Sequence, residues 1–396
     1  MRTALARAGV GQVLKHVSAG RIEVVEGGAS RFFGPEDAEL RATVQINDPA
    51  AWRAPLRGSV GLGEGYVDGL WETDDLVDLI RIAAAELREL DGWRGAVARP
   101  RGLLHRLRRL VPENTRDGAR EHIAAHYDLG NDLFAAFLDE RMMYSCAYFP
   151  DPAASLEQAQ VAKLDRICDR LQLGPENHLL EIGTGWGGLA IHAARRSGCR
   201  VTTTTISRAQ HALATRRVAE AGLSDQVTVL LRDYRDLRGR YDRLVSVEMI
   251  EAVGWQYFDE YFRRCDQLLT DDGLMLLQAI TIDDRIYEIE KGARSFANTH
   301  VFPGGCLPSP GLIAACLERV TNMRQVWVDD ITAHYPPTLA AWRRRFFDAW
   351  ERLRERGYDE RFRRLWDFYL SSSEAGFRER RIGDLQALFA KPGAPW

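Results

Sequence analysis

One segment, Leu180–Leu189 (LEIGTGWGGL), constrains the fold more than any other. A short apolar strand, His178–Ile182, runs directly into glycines 183, 185, 187 and 188, and a helix over Gly187–Ser197 follows. Glycine at such a strand-to-helix turn permits unusual backbone angles and lets a ligand approach the main chain closely. The chain then keeps alternating. Val201–Thr205 is β-rich, Ala209–Ala221 helical, and Val227–Leu231 and Arg243–Val247 are strands. Trp255–Leu269 reads as a helix and Leu274–Ile280 as a strand. Upstream, Ser155 and Gln158 form a capping box, and Leu164, Ile167, Cys168 and Leu171 recur at helical spacing. The pattern predicts a doubly wound, mostly parallel α/β sheet covered on both faces. Residues 282–322 interrupt it with a Gly/Pro-rich patch, FPGGCLPSPG, which reads as an inserted lid or loop.

A chain of 396 residues has room for two domains. The sequence predicts a smaller N-terminal α+β domain over residues 1–115 and the α/β domain over 116–396. In the first, Arg21–Val25 and Ala42–Ile46 alternate as strands do. GLGEGYVDGLWETDDLVDLIRIAAAE, from Gly61, reads as a turn and then a helix with Leu76, Leu79, Ile80 and Ala83 on one face. Arg94–Leu110 carries six Arg and no acid among four leucines, the composition of a linker or of an amphipathic helix on a membrane surface. Only four basic residues are lysines: 15, 163, 291 and 391. A net charge of −3 gives no sign of a nucleic-acid binder. Six scattered cysteines with no CxxC pair predict reduced thiols and no metal centre. No apolar run approaches the roughly 18 residues of a spanning helix. The expectation is a soluble, cytoplasmic protein that touches the inner face of the membrane only peripherally.

Gly183, Gly185 and Gly188 match a dinucleotide fingerprint, G-x-G-x-x-G. A dinucleotide site usually adds an acid about 20 residues on, to hold the ribose diol. Here that region reads TTTTISRAQ, with no acid until Glu220, which disfavours NAD. Glu181 followed by glycines 183, 185 and 187 is instead the usual turn of S-adenosylmethionine (SAM) methyltransferases.

A second segment, His126–Phe149 (HYDLGNDLFAAFLDERMMYSCAYF), narrows the reading. With GLGEGYVDGLW, LEIGTGWGGLA, TISRAQ, DYRDL, YDRLVSVEMIEAVG, VFPGGCLPS and EAGFR, it resembles the cyclopropane-fatty-acid synthases and mycolic-acid methyltransferases, in the family's order from Gly61 onward. The resemblance implies a class I SAM-methyltransferase (Rossmann-like) fold. It also implies transfer of a one-carbon unit from SAM onto a cis double bond of phospholipid acyl chains. Motif by motif, Tyr144 and Ser145 would close over the methionine end of SAM. Gly183, Thr184 and Gly185 would line its carboxylate side, and Glu181, at the end of the strand before them, is a further cofactor-binding position. Thr205, Ile206, Ser207 and Gln210 would hold the ribose, and Tyr234 and Arg235 would border the adenine. Neutral Thr and Gln side chains can bond a diol, and Tyr can stack on a purine.

A cis double bond is a weak nucleophile, and its attack on a sulfonium methyl leaves a carbocation on the acyl chain. The site must exclude water, offer electron-rich faces and remove one proton. In the resembled family the base is a bicarbonate ion, and the positions that match its holders are Cys146, Glu251, Gln278, Ile280 and Tyr335. Gln278 stands where the family usually has His. Each position also has a plain structural reading: a buried thiol, a helix N-terminal acid, a strand-end amide, a packing tyrosine. Ser373 stands where the family often has Cys, so a covalent role for that Cys cannot operate here. SVEMIEAVG, LQAITI and Gln278 are similar to actinobacterial methyltransferases that make 10-methyl-branched acids. The product reading is therefore open between a cyclopropane and a methylene-branched chain, the latter with a partner reductase. A homodimer is compatible with either. The alternatives are a methyltransferase of a small lipophilic molecule and a non-catalytic lipid- or SAM-binding protein.

Overall fold

The computed structural model describes residues 2–98 and 130–394. His126–Leu129 and nearly all of the basic Arg94–Leu110 segment lie outside them. The described strands are β1 (Arg21–Glu26), β2 (Ala29–Phe33), β3 (Arg41–Ile46), β4 (Trp71–Thr73), β5 (His178–Ile182), β6 (Arg200–Thr205), β7 (Val227–Leu231), β8 (Tyr241–Val247), β9 (Leu269–Ile282), β10 (Arg324–Asp330) and β11 (Ile382–Ala390).

Seven of them form one sheet in the order β10-β11-β9-β8-β5-β6-β7. β5 pairs in parallel with both β6 and β8, β6 with β7 and β8 with β9, whereas β10 and β11 are antiparallel. Strand order reverses at β5, and in open α/β sheets the crevice at such a switch point takes the ligand. Side chains alternate across the sheet as the strand period requires. Leu179, Val245, Leu274 and Leu276 pack on one face with Leu164, Ile167, Leu189 and Ala193. Leu180, Leu244, Met275 and Leu277 pack on the other with Phe258, Tyr261, Phe262 and Cys265. Burial on both faces explains why these strands read as apolar runs. The capping box forms as expected: Ser155 starts the helix Leu156–Arg170, and Leu164, Ile167, Cys168 and Leu171 are buried. The helix expected from Trp255 begins at Phe258, after a single 3-10 turn.

The four-stranded sheet, β2-β1-β3-β4, belongs to a second unit, which is not a contiguous stretch of chain. Residues 1–110, 288–301 and 339–382 group together, and 111–287, 302–338 and 383–396 form the other unit. The sequence predicts one boundary near 115. Long-range pairs bring later segments into the first unit: Tyr66 donates to Asp367 at 2.8 Å, and Arg81 pairs with Glu379 at 2.8 Å. The interruption at 282–322 is largely helical, over Asp284–Glu290, Phe296–His300 and Pro310–Val320. Its middle falls in the first unit, while Ile313, Cys316 and Leu317 join the core of the second.

The expected turn at Gly61 is a helix, Gly58–Val67. Its glycines are cradles. A Cβ would stand 2.4 Å from the Ala54 carbonyl oxygen at Gly61, and 2.1 Å from the Phe296 ring at Gly63. In the next helix, Leu76–Ala98, Leu76, Val77, Ile82 and Ala84 are buried among the described side chains (76–87) and Ala83 is exposed, so the expected face is rotated. Gly63→Val is expected to cost at least about 1–3 kcal/mol through overpacking against Phe296 and Phe368. Urea denaturation would show it as a lowered midpoint, and an unchanged midpoint would contradict the cradle.

Candidate active site

The glycine turn sits where the sequence placed it. Gly183, Gly185 and Gly187 take φ values of +106°, +50° and +85°. The amides of Gly183 and Thr184 both donate to the Thr204 carbonyl at 3.1 Å, lacing the turn to the end of β6. A Cβ on Gly185 would meet no atom within 4 Å, so the turn is open on that side. Glu181 is buried, with Oε2 lacking a hydrogen-bond partner, and burial pushes its carboxyl up to about 8. At the end of β6, Thr205 donates to Gln210 at 2.7 Å and accepts from the Ser207 amide at 3.1 Å. Ser207 caps the helix Arg208–Glu220, with Ile206 half-buried beside it. Past β7, Asp233 accepts from the Arg235 amide and guanidinium, and that guanidinium lies 5.5 Å from the centre of the Tyr234 ring. Tyr144 joins an aromatic group with Phe134, Phe137 and Phe302. Ser145 Oγ accepts from Lys163 Nζ at 2.6 Å. An open glycine turn, a carboxylate oxygen without a partner and a hydroxyl–amide pair fit SAM, which when bound supplies an electrophilic methyl on a sulfonium sulfur.

The second group of predicted residues converges on a carboxylate that sequence reasoning missed, Glu248. It follows β8 directly and holds φ at +47°, a left-handed conformation unusual for a residue with a Cβ. Glu248 Oε1 accepts from the Cys146 amide and from Gln278 Nε2, each at 2.8 Å. Glu248 Oε2 accepts from the Tyr335 hydroxyl at 2.6 Å. Gln278 is fully buried; its Nε2 also reaches Asp384 Oδ2 at 3.2 Å, and its Oε1 accepts from Gln386 at 3.0 Å. Glu251 Oε1 accepts from the Ile280 amide at 2.6 Å, and Glu251 Oε2 is buried without a partner. Ile280 thus enters through its backbone. Cys146 also enters through its backbone, because burial raises the thiol pKa well above its ordinary value.

Three carboxyls in one buried site cannot all keep their charge. Burial and the nearby Glu248 charge push Glu251 up to about 8. Asp384 is raised well above the ordinary range by burial and by the charges of Glu248 and Glu251. Burial also raises Glu248, but Tyr335, the Cys146 amide, Lys163 and Gln278 all pull it back. With three hydrogen-bond donors, against one on Glu251, Glu248 is the carboxyl best able to hold the negative charge. Lys163 is the buried cation of the site, and burial lowers its pKa. Its signal in the sequence was a lone lysine within an apolar helical stripe, and that of Glu248 an acid at the carboxyl end of an apolar strand.

Residues 114–387 match the family model described as mycolic acid cyclopropane synthetase. The chain belongs to the mycolic acid cyclopropane synthetase family. The matched span takes in the glycine turn and every residue of the carboxylate cluster. Among members and relatives, tuberculostearic acid methyltransferase UfaA1 of Mycobacterium tuberculosis is 41% identical, over 88% of this chain and 82% of its own. Cyclopropane-fatty-acyl-phospholipid synthase of Escherichia coli K12 is 39% identical, over 88% of each chain. The solved structure of mycolic acid cyclopropane synthase CmaA1 complexed with SAH and CTAB has 30% identity and a TM-score of 0.64, covering 69% of this chain and 98% of that one. This member of the mycolic acid cyclopropane synthetase family has the class I SAM-methyltransferase fold and is a SAM-dependent methyltransferase.

Proposed function

We propose that the enzyme adds a one-carbon unit from SAM across or beside a cis double bond in unsaturated phospholipid acyl chains. It is a fatty-acyl C-methyltransferase of the type of its relatives named for cyclopropane-fatty-acyl-phospholipid and tuberculostearic acid synthesis. The observation that carries the chemical reading is one cluster: Cys146, Glu248, Glu251, Gln278, Ile280 and Tyr335 meet at the carboxyl ends of β8 and β9, beside the glycine turn. A buried site of this kind excludes water while a cation forms on the acyl chain. Phe134, Phe137, Tyr144 and Phe302 supply electron-rich faces. Incubation with methyl-labelled SAM and liposomes of unsaturated phospholipid should place label in the fatty acyl chains. Label in a small molecule, or none, would favour the alternatives.

The product is a methylene-branched chain in appreciable amount, beside or instead of a cyclopropane. A cyclopropane closes when the new methyl loses its proton at once; a hydride shift first gives the branch. Gln278 cannot ionise, and a His there would change the hydrogen bonds around the base. Gas chromatography–mass spectrometry after hydrogenation separates the two products. Gln278→His is expected to raise the cyclopropane share, and an unchanged, purely cyclopropane product would refute the argument.

Two further readings concern where the enzyme works. Among the described residues no helix is long and apolar enough to cross a membrane. The Arg94–Leu110 segment would hold the protein to anionic bilayers, each basic residue contributing on the order of 1 kcal/mol near the surface, less at high salt. Changing Arg106, Arg108 and Arg109 to Gln is expected to weaken sedimentation with anionic liposomes at least tenfold. Equal sedimentation would make the segment a plain linker. A methyl-branched end product would need a partner reductase, and a homodimer remains compatible with the fold. A bicarbonate base fits this chain poorly, because Cys146, Gln278 and Tyr335 already donate to Glu248.

A further inference from the structure

We propose that Glu248 is itself the catalytic base: its carboxylate takes the place of the bicarbonate ion and removes the proton that the methylated acyl chain must lose. This rests on the acyl-chain reading above. Three of the positions that the resemblance assigns to an external anion donate here to one side chain of the chain itself. A carboxylate offers about four acceptor directions, so three donors fill most of them. A second small anion there would find its donors taken and a negative charge beside it.

The backbone supports the same assignment. Glu248 is held in a left-handed conformation at the end of a core strand, while its amide continues the ladder to the Gln278 carbonyl at 2.9 Å. Such strain persists where surrounding contacts over-determine it, and it concentrates at functional sites. The next residue, Met249, would lie 3.3 Å from a Cβ on Gly183, so Glu248 is adjacent in the chain to a residue packed on the cofactor turn. Three donors on Glu248, against one on Glu251 with its Oε2 unpartnered, make Glu248 the carboxylate best placed to hold the charge of the cluster.

The step balances without an added reactant. The alkene π pair forms the new C–C bond to the methyl carbon, and the C–S bond breaks with its electrons leaving on sulfur. The neighbouring carbon becomes cationic. Glu248 then takes a proton from the new methyl, and that C–H pair closes the ring. After a 1,2-hydride shift the same proton loss leaves an exocyclic C=C bond. A C–H beside a carbocation is strongly acidic, so a carboxylate engaged by three donors is base enough.

Glu248→Gly tests the proposal, because glycine accepts a φ of +47° and vacates the space of the carboxylate. Wild-type turnover is expected to be indifferent to bicarbonate in CO₂-free buffer. Glu248→Gly is expected to lose roughly 100-fold or more of that turnover, within the usual range for a general base. Millimolar bicarbonate or formate should restore at least a tenth of it. Glu248→Gln, which leaves no space, should be equally slow and not rescued. Carbon-13 NMR of labelled bicarbonate, without SAM or lipid, should show binding to Glu248→Gly and none to wild type. SAM affinity by calorimetry, within about threefold of wild type, would show that the variants are folded. A wild type that needs or binds bicarbonate would overturn the proposal, as would a fully active Glu248→Gly or Glu248→Gln in its absence. Failure of the wild type to label acyl chains would instead defeat the substrate reading, and the NMR comparison would still decide the anion site.

Discussion

Gly185→Val should abolish measurable SAM binding, lowering affinity at least 100-fold by calorimetry. Gly185 sits at φ +50°, where a side chain costs about 1–2 kcal/mol. The larger effect comes from position: a Cβ there would enter the open space above the turn, where no protein atom lies within 4 Å. Gly222→Val provides the control. Gly222 is also left-handed, at φ +71°, with open space around it, but it follows the helix Arg208–Glu220, away from the turn. Both variants should lose similar stability, and only Gly185→Val should lose the ligand. Wild-type affinity in Gly185→Val would sink the assignment of this turn to the cofactor.

Glu251→Gln should keep SAM binding and lose turnover, though less than Glu248→Gly does, because it removes a titratable carboxyl beside the base and not the base itself. Its effect on stability should run the other way. Glu251 titrates at about 8 in the folded protein against 4.5 as an ordinary glutamate, because burial and the Glu248 charge oppose its ionisation. Between those values the unfolded chain binds fewer protons than the folded one. Wild-type stability therefore falls as pH rises through that window and levels off above about 8. Gln cannot ionise, and its side-chain oxygen can still accept from the Ile280 amide. Urea midpoints of the variant and wild type should thus converge near pH 4.5 and separate toward pH 8, with the variant the more stable. Parallel midpoints across that range, or unchanged turnover, would return Glu251 to a structural role.

The α/β unit was legible because its signals are local. The strand–glycine–helix turn at Leu180–Leu189, the capping box at Ser155 and the alternation of apolar runs all lie within windows of a dozen residues. The Gly61–Gly65 segment was misread because its glycines answer to distant partners, Phe296 and Phe368, and not to neighbours in sequence. The carboxylate cluster divides in the same way. Cys146, Glu251, Gln278, Ile280 and Tyr335 were reached through motifs, whereas Asp384 lies 106 residues from Gln278 and inside no motif. Glu248 was hidden by proximity: Glu251, three positions on, had already absorbed the meaning of the segment. Its importance comes from the backbone angle and the three donors, none of which a one-dimensional pattern carries.

The discontinuous first unit has a consequence for biogenesis. Domains of many chains fold in order as they leave the ribosome, the N-terminal one first. That order is closed to this chain. Tyr66 finds Asp367 only 301 residues later, and Gly63 packs on Phe296 and Phe368. The early strands find their core within the first 82 residues, but until the helix Glu360–Arg378 has been synthesised the glycine-cradled helix lacks the Phe368 ring and the Asp367 carboxylate that complete its packing. A nascent chain released early would carry that apolar surface bare. The first part of the protein to be made thus waits, like the seven-stranded sheet that takes in β11, for the end of the chain, and its quality control falls to the period after translation ends.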